Sequence, residues 1–207
     1  MRQQTLLRII GLMRKEIDKG KTILGISKEL SIGYRPAYNH IAAMEKEGII
    51  RIERIGHATY CRLNLNQPQT RHLLASFDLA RKDELYKKHQ KLKTILESLI
   101  SKLVEVHISS LHAIILFGSY AKGKATKRSD IDLLFIVSNL HDKTLRKAIE
   151  MESASYRYSY NIHISPLITD IDQFKKMLSS KELNVGKEVK NDGISLYGHE
   201  IFWRILS

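Results

Sequence analysis

The sequence predicts an α+β chain in two parts, with a helical connector between them. Three observations carry this. The first third reads as three short helices followed by a β-hairpin. The middle holds apolar residues at helical spacing. The last part alternates strand and helix around two strongly apolar strands. The expected domains are residues 1–66, a connector over 67–106, and a C-terminal domain over 107–207 made of a mixed sheet with flanking helices.

Leu6, Ile9, Ile10, Met13 and Ile17 repeat at helical spacing and open the chain with a helix. A second, short helix covers Thr22 to Leu30. Ser31 to Tyr34 reads as a tight turn. A third helix starts near Arg35, because Pro36 is tolerated in a first helical turn. Its buried face is expected to be Ala37, Ile41 and Met44, with Tyr38 as a further candidate. Ile49 to Ile55 alternates as a strand, Gly56-His57 turns, and Thr59 to Leu63 returns. This order is the layout of a winged helix-turn-helix. The stretches Ile26 to Ile32 and Met44 to Ile50 resemble many archaeal and bacterial winged-helix regulators. That resemblance implies double-stranded DNA as a partner, with the third helix in the major groove and the hairpin on phosphate or minor groove. The candidate contacts are Tyr34, Arg35, Asn39 and His40 on the helix, and Arg54 and His57 near the hairpin tip. A protein-binding role is the open alternative.

Charge leans toward DNA. The chain of 207 residues carries a formal +12, and residues 1–66 hold 12 Lys and Arg against 6 Asp and Glu, half of that excess. Cys61 is the only cysteine, so no intrachain disulfide forms. No run is long and apolar enough to span a bilayer, and the first residues lack a signal core. The expected location is the cytoplasm, with no membrane association. A homodimer is left open, since no heptad seam specifies one.

Asn64 to Thr70 is polar, contains Pro68 and reads as a boundary. From Arg71 to Val106 the pattern is helical, with a stripe of Leu92, Ile95, Leu96, Leu99, Ile100, Leu103 and Val104. Lys87, Lys88, Lys91 and Lys93 should face water. Leu111 to Phe117 and Ile131 to Val137 read as strands, Lys143 to Ser155 as a helix, and Tyr158 to Ser165 as a third strand. Ile171 to Leu178 and Glu182 to Lys190 read as helices, Ile194 to Tyr197 as a short edge strand, and His199 to Leu206 as a last helix.

The chemistry sits between the first two of these strands. Phe117 is followed by Gly118-Ser119, ten residues intervene, and Asp130-Ile131-Asp132 opens the next strand. Asp130 and Asp132 are two apart, so both carboxylates point to one face. Adjacent carboxylates repel each other unless a cation joins them. Hard oxygen ligands select Mg²⁺ or Mn²⁺. Gly118 lets backbone approach a phosphate, and Ser119 offers a hydroxyl and an amide. Lys122 and Arg128 lie in the spacer, where they can attract a triphosphate.

Gly-Ser, a spacer and Asp-x-Asp resemble the minimal nucleotidyltransferases of the DNA polymerase β superfamily, over roughly residues 90–207. The resemblance implies a metal-dependent transfer of a nucleoside monophosphate from an NTP, ATP foremost, to an acceptor hydroxyl. Asp130 and Asp132 would be catalytic and bind metal; Gly118, Ser119, Lys122 and Arg128 would bind nucleotide. It also implies a helical HEPN toxin as protein partner, with this chain as antitoxin. The superfamily usually adds a third carboxylate from a later strand. The expected strand, Tyr158 to Ser165, shows Asn161, His163 and Ser165 on one face and no acid on either. His163 is there as a base or as a structural residue. A DNA-binding regulator that only senses nucleotide is the alternative function.

Overall fold

The computed structural model describes residues 2–56 and 58–207. The chain forms two compact units, one ending at residue 77 and joined by Ser207, the other covering 78–206.

The first unit contains α1 (Arg2–Arg14), β1 (Lys21–Thr22), α2 (Ile23–Leu30), α3 (Tyr34–Lys46), β2 (Ile50–Ile55) and β3 (Ala58–Leu63). Thr22 caps α2, its hydroxyl accepting from the Gly25 amide at 3.1 Å. β2 and β3 pair antiparallel, and β1 adds to the far edge of β3 through Lys21 and Cys61. Two residues are too few to show a period, so β1 has no sequence signal. Lys21 is 9% exposed and bridges Glu16 at 2.8 Å and Glu29 at 2.6 Å. Ile9, Ile10, Ile26, Ala37, Ile41 and Cys61 form the core. Burial pushes the Cys61 thiol up to about 11, with Glu45 adding to the effect. Tyr38 departs from expectation: it is 51% exposed, because the buried stripe of α3 runs through Ala37, Ile41 and Met44 alone.

The division between units falls inside α4 (Pro68–Lys88), not at the polar stretch before it. Thr70 is buried and donates its hydroxyl to the Ile49 carbonyl at 3.2 Å, and Leu74 is fully buried, so the first turns of α4 pack with the first core. Nor is residue range 67–106 a separate connector. α5 (Gln90–His107) packs Leu92, Ile95, Leu96, Leu99 and Leu103 into the core of the second unit, with Leu116, Leu133 and Phe135.

The second unit is a mixed sheet with flanking helices. Its strand order is β6-β5-β4-β7. β4 (Leu111–Phe117) runs antiparallel to β5 (Ile131–Val137) and β7 (Ile194–Tyr197), and β6 (Ile164–Asp170) runs parallel to β5. The helices are α5, α6 (Gly118–Ala121), α7 (Lys143–Tyr160), α8 (Ile171–Ser179), α9 (Val185–Asp192) and α10 (His199–Ile205). Phe174, Phe202 and Trp203 are fully buried, and the Trp203 indole donates to the buried Asp78 at 3.1 Å.

One boundary differs from expectation. Tyr158 to Tyr160 continue α7, and the strand starts only at Ile164. The tyrosines favour strand by propensity, but Leu145, Ile149, Ser153 and Tyr156 form a buried helical stripe, and the helix runs one exposed turn beyond it. Asn161 then stops the helix in the left-handed region at φ 51. Pro166 sits within β6, which is tolerated because β6 is an edge strand. Among the described residues no helix is long and apolar enough to cross a membrane.

Candidate active site

Strand pairing builds the site. Phe117, the last residue of β4, is paired with Asp132 on β5. The chain leaves β4 through Gly118 at that point, so the Gly-Ser turn lies directly on the carboxylate. Gly118 has φ +68, and a Cβ there would collide with the Asp132 carboxylate, meeting its Cγ at 2.8 Å. Glycine is required twice over, for backbone conformation and for space. α6 then runs from Gly118 to Ala121, and the Lys124 amide donates to the Ser119 carbonyl at 2.9 Å, folding the spacer back on the turn.

The Asp132 carboxyl is raised above the ordinary carboxylate range. Burial is the main cause, followed by Asp130 and then Glu188; His163 and Lys122 oppose the shift. Asp130 is more open, at 54% side-chain exposure, and one of its oxygens lies 3.3 Å from His163 Nδ1. The Ile131 amide donates to the His163 carbonyl at 2.9 Å, which fixes the starts of β5 and β6 together. Lys122 bridges Glu188 of α9 at 2.7 Å, and its ammonium is held above its usual range mainly by that bond. Glu188 has no motif around it in the sequence; only the packing of α9 beside α6 brings it in.

A hard divalent cation fits this pair. Two negative groups held close, one of them raised by burial, are relieved by a cation between them. Mg²⁺-type sites commonly use one or two carboxylates and fill the remaining positions with water and substrate phosphates. Among the described residues no third His, Cys, Asp or Glu joins them as a metal-binding group. In the register of β6, Ser165 stands beside Asp132, and Ile164 beside Ile131. Asp170 is used elsewhere, capping α8 by accepting from the Gln173 amide at 2.7 Å.

Arg128 lies apart from Lys122. It lines a cleft of about 1140 Å³ with Asp130, His163 and Tyr160, and Gly118, Ser119, Lys122 and Asp132 are not in its wall. Sequence reasoning also missed Arg81. Its half-buried guanidinium donates to the Gly193 carbonyl at 2.8 Å, to the Asp192 carbonyl at 2.8 Å and to the Ala121 carbonyl at 3.1 Å. One side chain thereby ties the end of α6 to the end of α9. No local pattern marks it, since its partners are backbone atoms distant in sequence.

In the first unit, Tyr34 is 55% exposed, and Arg35, Asn39 and Arg54 are exposed. His40 is half-buried, and with Asn39 it borders a hollow that also includes Leu6 of α1. His57 lies outside the described residues.

Residues 90–184 match the nucleotidyltransferase domain. The chain belongs to that family. A protein of Methanocaldococcus jannaschii named "Putative protein adenylyltransferase MJ1305" is 36% identical over 95 residues, 45% of this chain and 62% of that protein. A second from the same organism, "Putative protein adenylyltransferase MJ0141", is 33% identical over 86 residues, 42% of this chain and 79% of that protein. The chain thus spans less than two thirds of the first relative. A crystal structure of a toxin–antitoxin with AMP-PNP has 22% identity and a TM-score of 0.36, covering 53% of this chain and 82% of that one.

Proposed function

We propose that this chain is a metal-dependent nucleotidyltransferase that moves AMP from ATP to a hydroxyl on a protein. Gly118 and Ser119 take the phosphates, with Lys122 and Arg128 supplying positive charge. Asp130 and Asp132 would hold the divalent cation, Mg²⁺ or Mn²⁺. A bound cation would supply Lewis-acid neutralisation of the charge that develops on the transferring phosphate. The acceptor oxygen bonds to the α-phosphorus, and the bond from that phosphorus to the α–β bridging oxygen breaks. Pyrophosphate leaves with the electron pair, and the hydroxyl proton passes to solvent. The single observation that carries the reading is the contact of a left-handed Gly118 with a carboxylate raised by burial and by a second carboxylate.

A protein acceptor is supported by the names of the two M. jannaschii relatives. The family resemblance makes a helical HEPN toxin the partner, with this chain as its antitoxin. For the first unit the proposal is a winged helix-turn-helix that binds double-stranded DNA, supported by the order of its elements and by the exposed Tyr34, Arg35 and Asn39 on α3. The cytoplasm is the proposed location.

The test is incubation with labelled ATP, Mg²⁺ and candidate acceptor proteins, beside Asp130→Ala. Transfer of label that the variant abolishes supports the reading; no transfer to any acceptor sinks it. One observation favours a second reading, a regulator that senses nucleotide without turnover: Ser165, not an acid, stands beside Asp132. Mg²⁺-dependent ATP binding with no transfer, together with salt-sensitive duplex binding, would select it.

A further inference from the structure

The cleft beside Asp130 carries cations that, Arg128 aside, the nucleotide site does not use. Its wall carries five Lys and Arg side chains, at positions 88, 91, 127, 128 and 157, against one acid, Asp130. All five are exposed. None of Lys88, Lys91, Lys127 or Arg157 is bridged to a carboxylate among the described residues. An excess of unneutralised cations around a concavity favours an anionic occupant. The cleft contains Asp130 and Arg128 but not Gly118, Ser119, Lys122 or Asp132, so it meets the proposed nucleotide site at those two residues alone.

We propose that this cleft is the acceptor site and takes an acidic peptide segment, with Lys91, Lys127 and Arg157 contacting carboxylates that flank the hydroxyl to be modified. The proposal rests on the transfer reading above for the word acceptor; the acidic preference rests on the cleft alone. A cleft of about 1140 Å³ admits several residues of extended chain. A single-stranded nucleic acid needs aromatic rings open for stacking. Here the Tyr160 ring is already engaged, with Lys91 over it at 5.8 Å and Tyr156 against it at 6.0 Å, and Tyr120 meets His89 edge-on at 5.5 Å. Lys91 is also pre-positioned: its ammonium donates to the Tyr160 carbonyl at the end of α7 at 2.6 Å, so little side-chain freedom remains to be lost on binding.

The experiment uses the full chain and three fluorescent probes. One is a tyrosine-centred peptide flanked by glutamates, one is the same peptide flanked by lysines, and one is a single-stranded oligonucleotide of equal charge to the first. Anisotropy at low salt is expected to show the acidic peptide binding at least tenfold tighter than the other two. Lys127→Glu/Arg157→Glu should remove that preference while melting at the wild-type temperature; the milder Lys127→Gln/Arg157→Gln should reduce it partway. Equal binding of the two peptides, tighter binding of the oligonucleotide, or an unchanged preference in both variants overturns the proposal. Failure of the transfer reading is separable: acidic-peptide preference with no label moved from ATP to any peptide leaves the acidic-segment site standing and removes the activity.

Discussion

The two units hold their functional groups in opposite ways. In the second, Gly118, Asp132, Asp130, Lys122 and Glu188 are held by strand register and ion pairing, and Asp132 is displaced from its ordinary ionisation by its surroundings. In the first, Tyr34, Arg35 and Asn39 stand exposed on α3, away from the stripe that makes its core. A site of the first kind couples function to folding, because each group is also a packing partner. A surface of the second kind can change its partner preference without touching the core. The contrast predicts large stability effects in one place and almost none in the other.

Arg81→Ala should give the largest effect. It strips donors from three carbonyls and leaves the buried Asp78 without the nearby guanidinium, costing about 3 kcal/mol of stability. Arg81→Lys should recover little, since an ammonium cannot fork across separated carbonyls. Urea unfolding measures both; a full rescue by lysine would show that charge alone matters. Gly118→Ala comes next, at about 2 kcal/mol, from the left-handed backbone and the collision with Asp132. It should also abolish ATP binding in calorimetry. Wild-type stability with wild-type binding would show that the turn does not rest on the carboxylate.

Asp132→Asn should be different in sign. The Asp132 carboxyl is raised, so its contribution to stability is present at low pH and is lost as pH rises through that raised value. Without metal, the variant should melt no lower than wild type at pH 7, and its melting temperature should decline less between pH 4 and 7. It should lose the stabilisation that Mg²⁺ and ATP give the wild type. A clear drop in the metal-free melting temperature would mark the carboxylate as structural. The smallest effect on folding belongs to Arg35→Ala, within about 0.5 kcal/mol because the side chain is exposed. Its effect on duplex binding at low salt should be about fivefold or more. Unchanged binding would remove α3 from the interface and weaken the contrast between the units.

Much of this was legible before any folding. Strong local patterns carried it: the stripe of α5, the apolar runs of β4 and β5, the proline and glycine at the ends of short helices, and the Gly-Ser and Asp-x-Asp pair at its spacing. These signals are local because helix period, strand alternation and turn stereochemistry are set by neighbours along the chain. Packing alone decided the rest. It set Ser165 beside Asp132, brought Glu188 to Lys122, and divided α4 between two cores. It also made Arg81 a tie between two helix ends and gathered the cations of the Asp130 cleft from four separate segments. Such contacts join residues far apart in sequence, and no periodicity within either segment encodes where the other will lie.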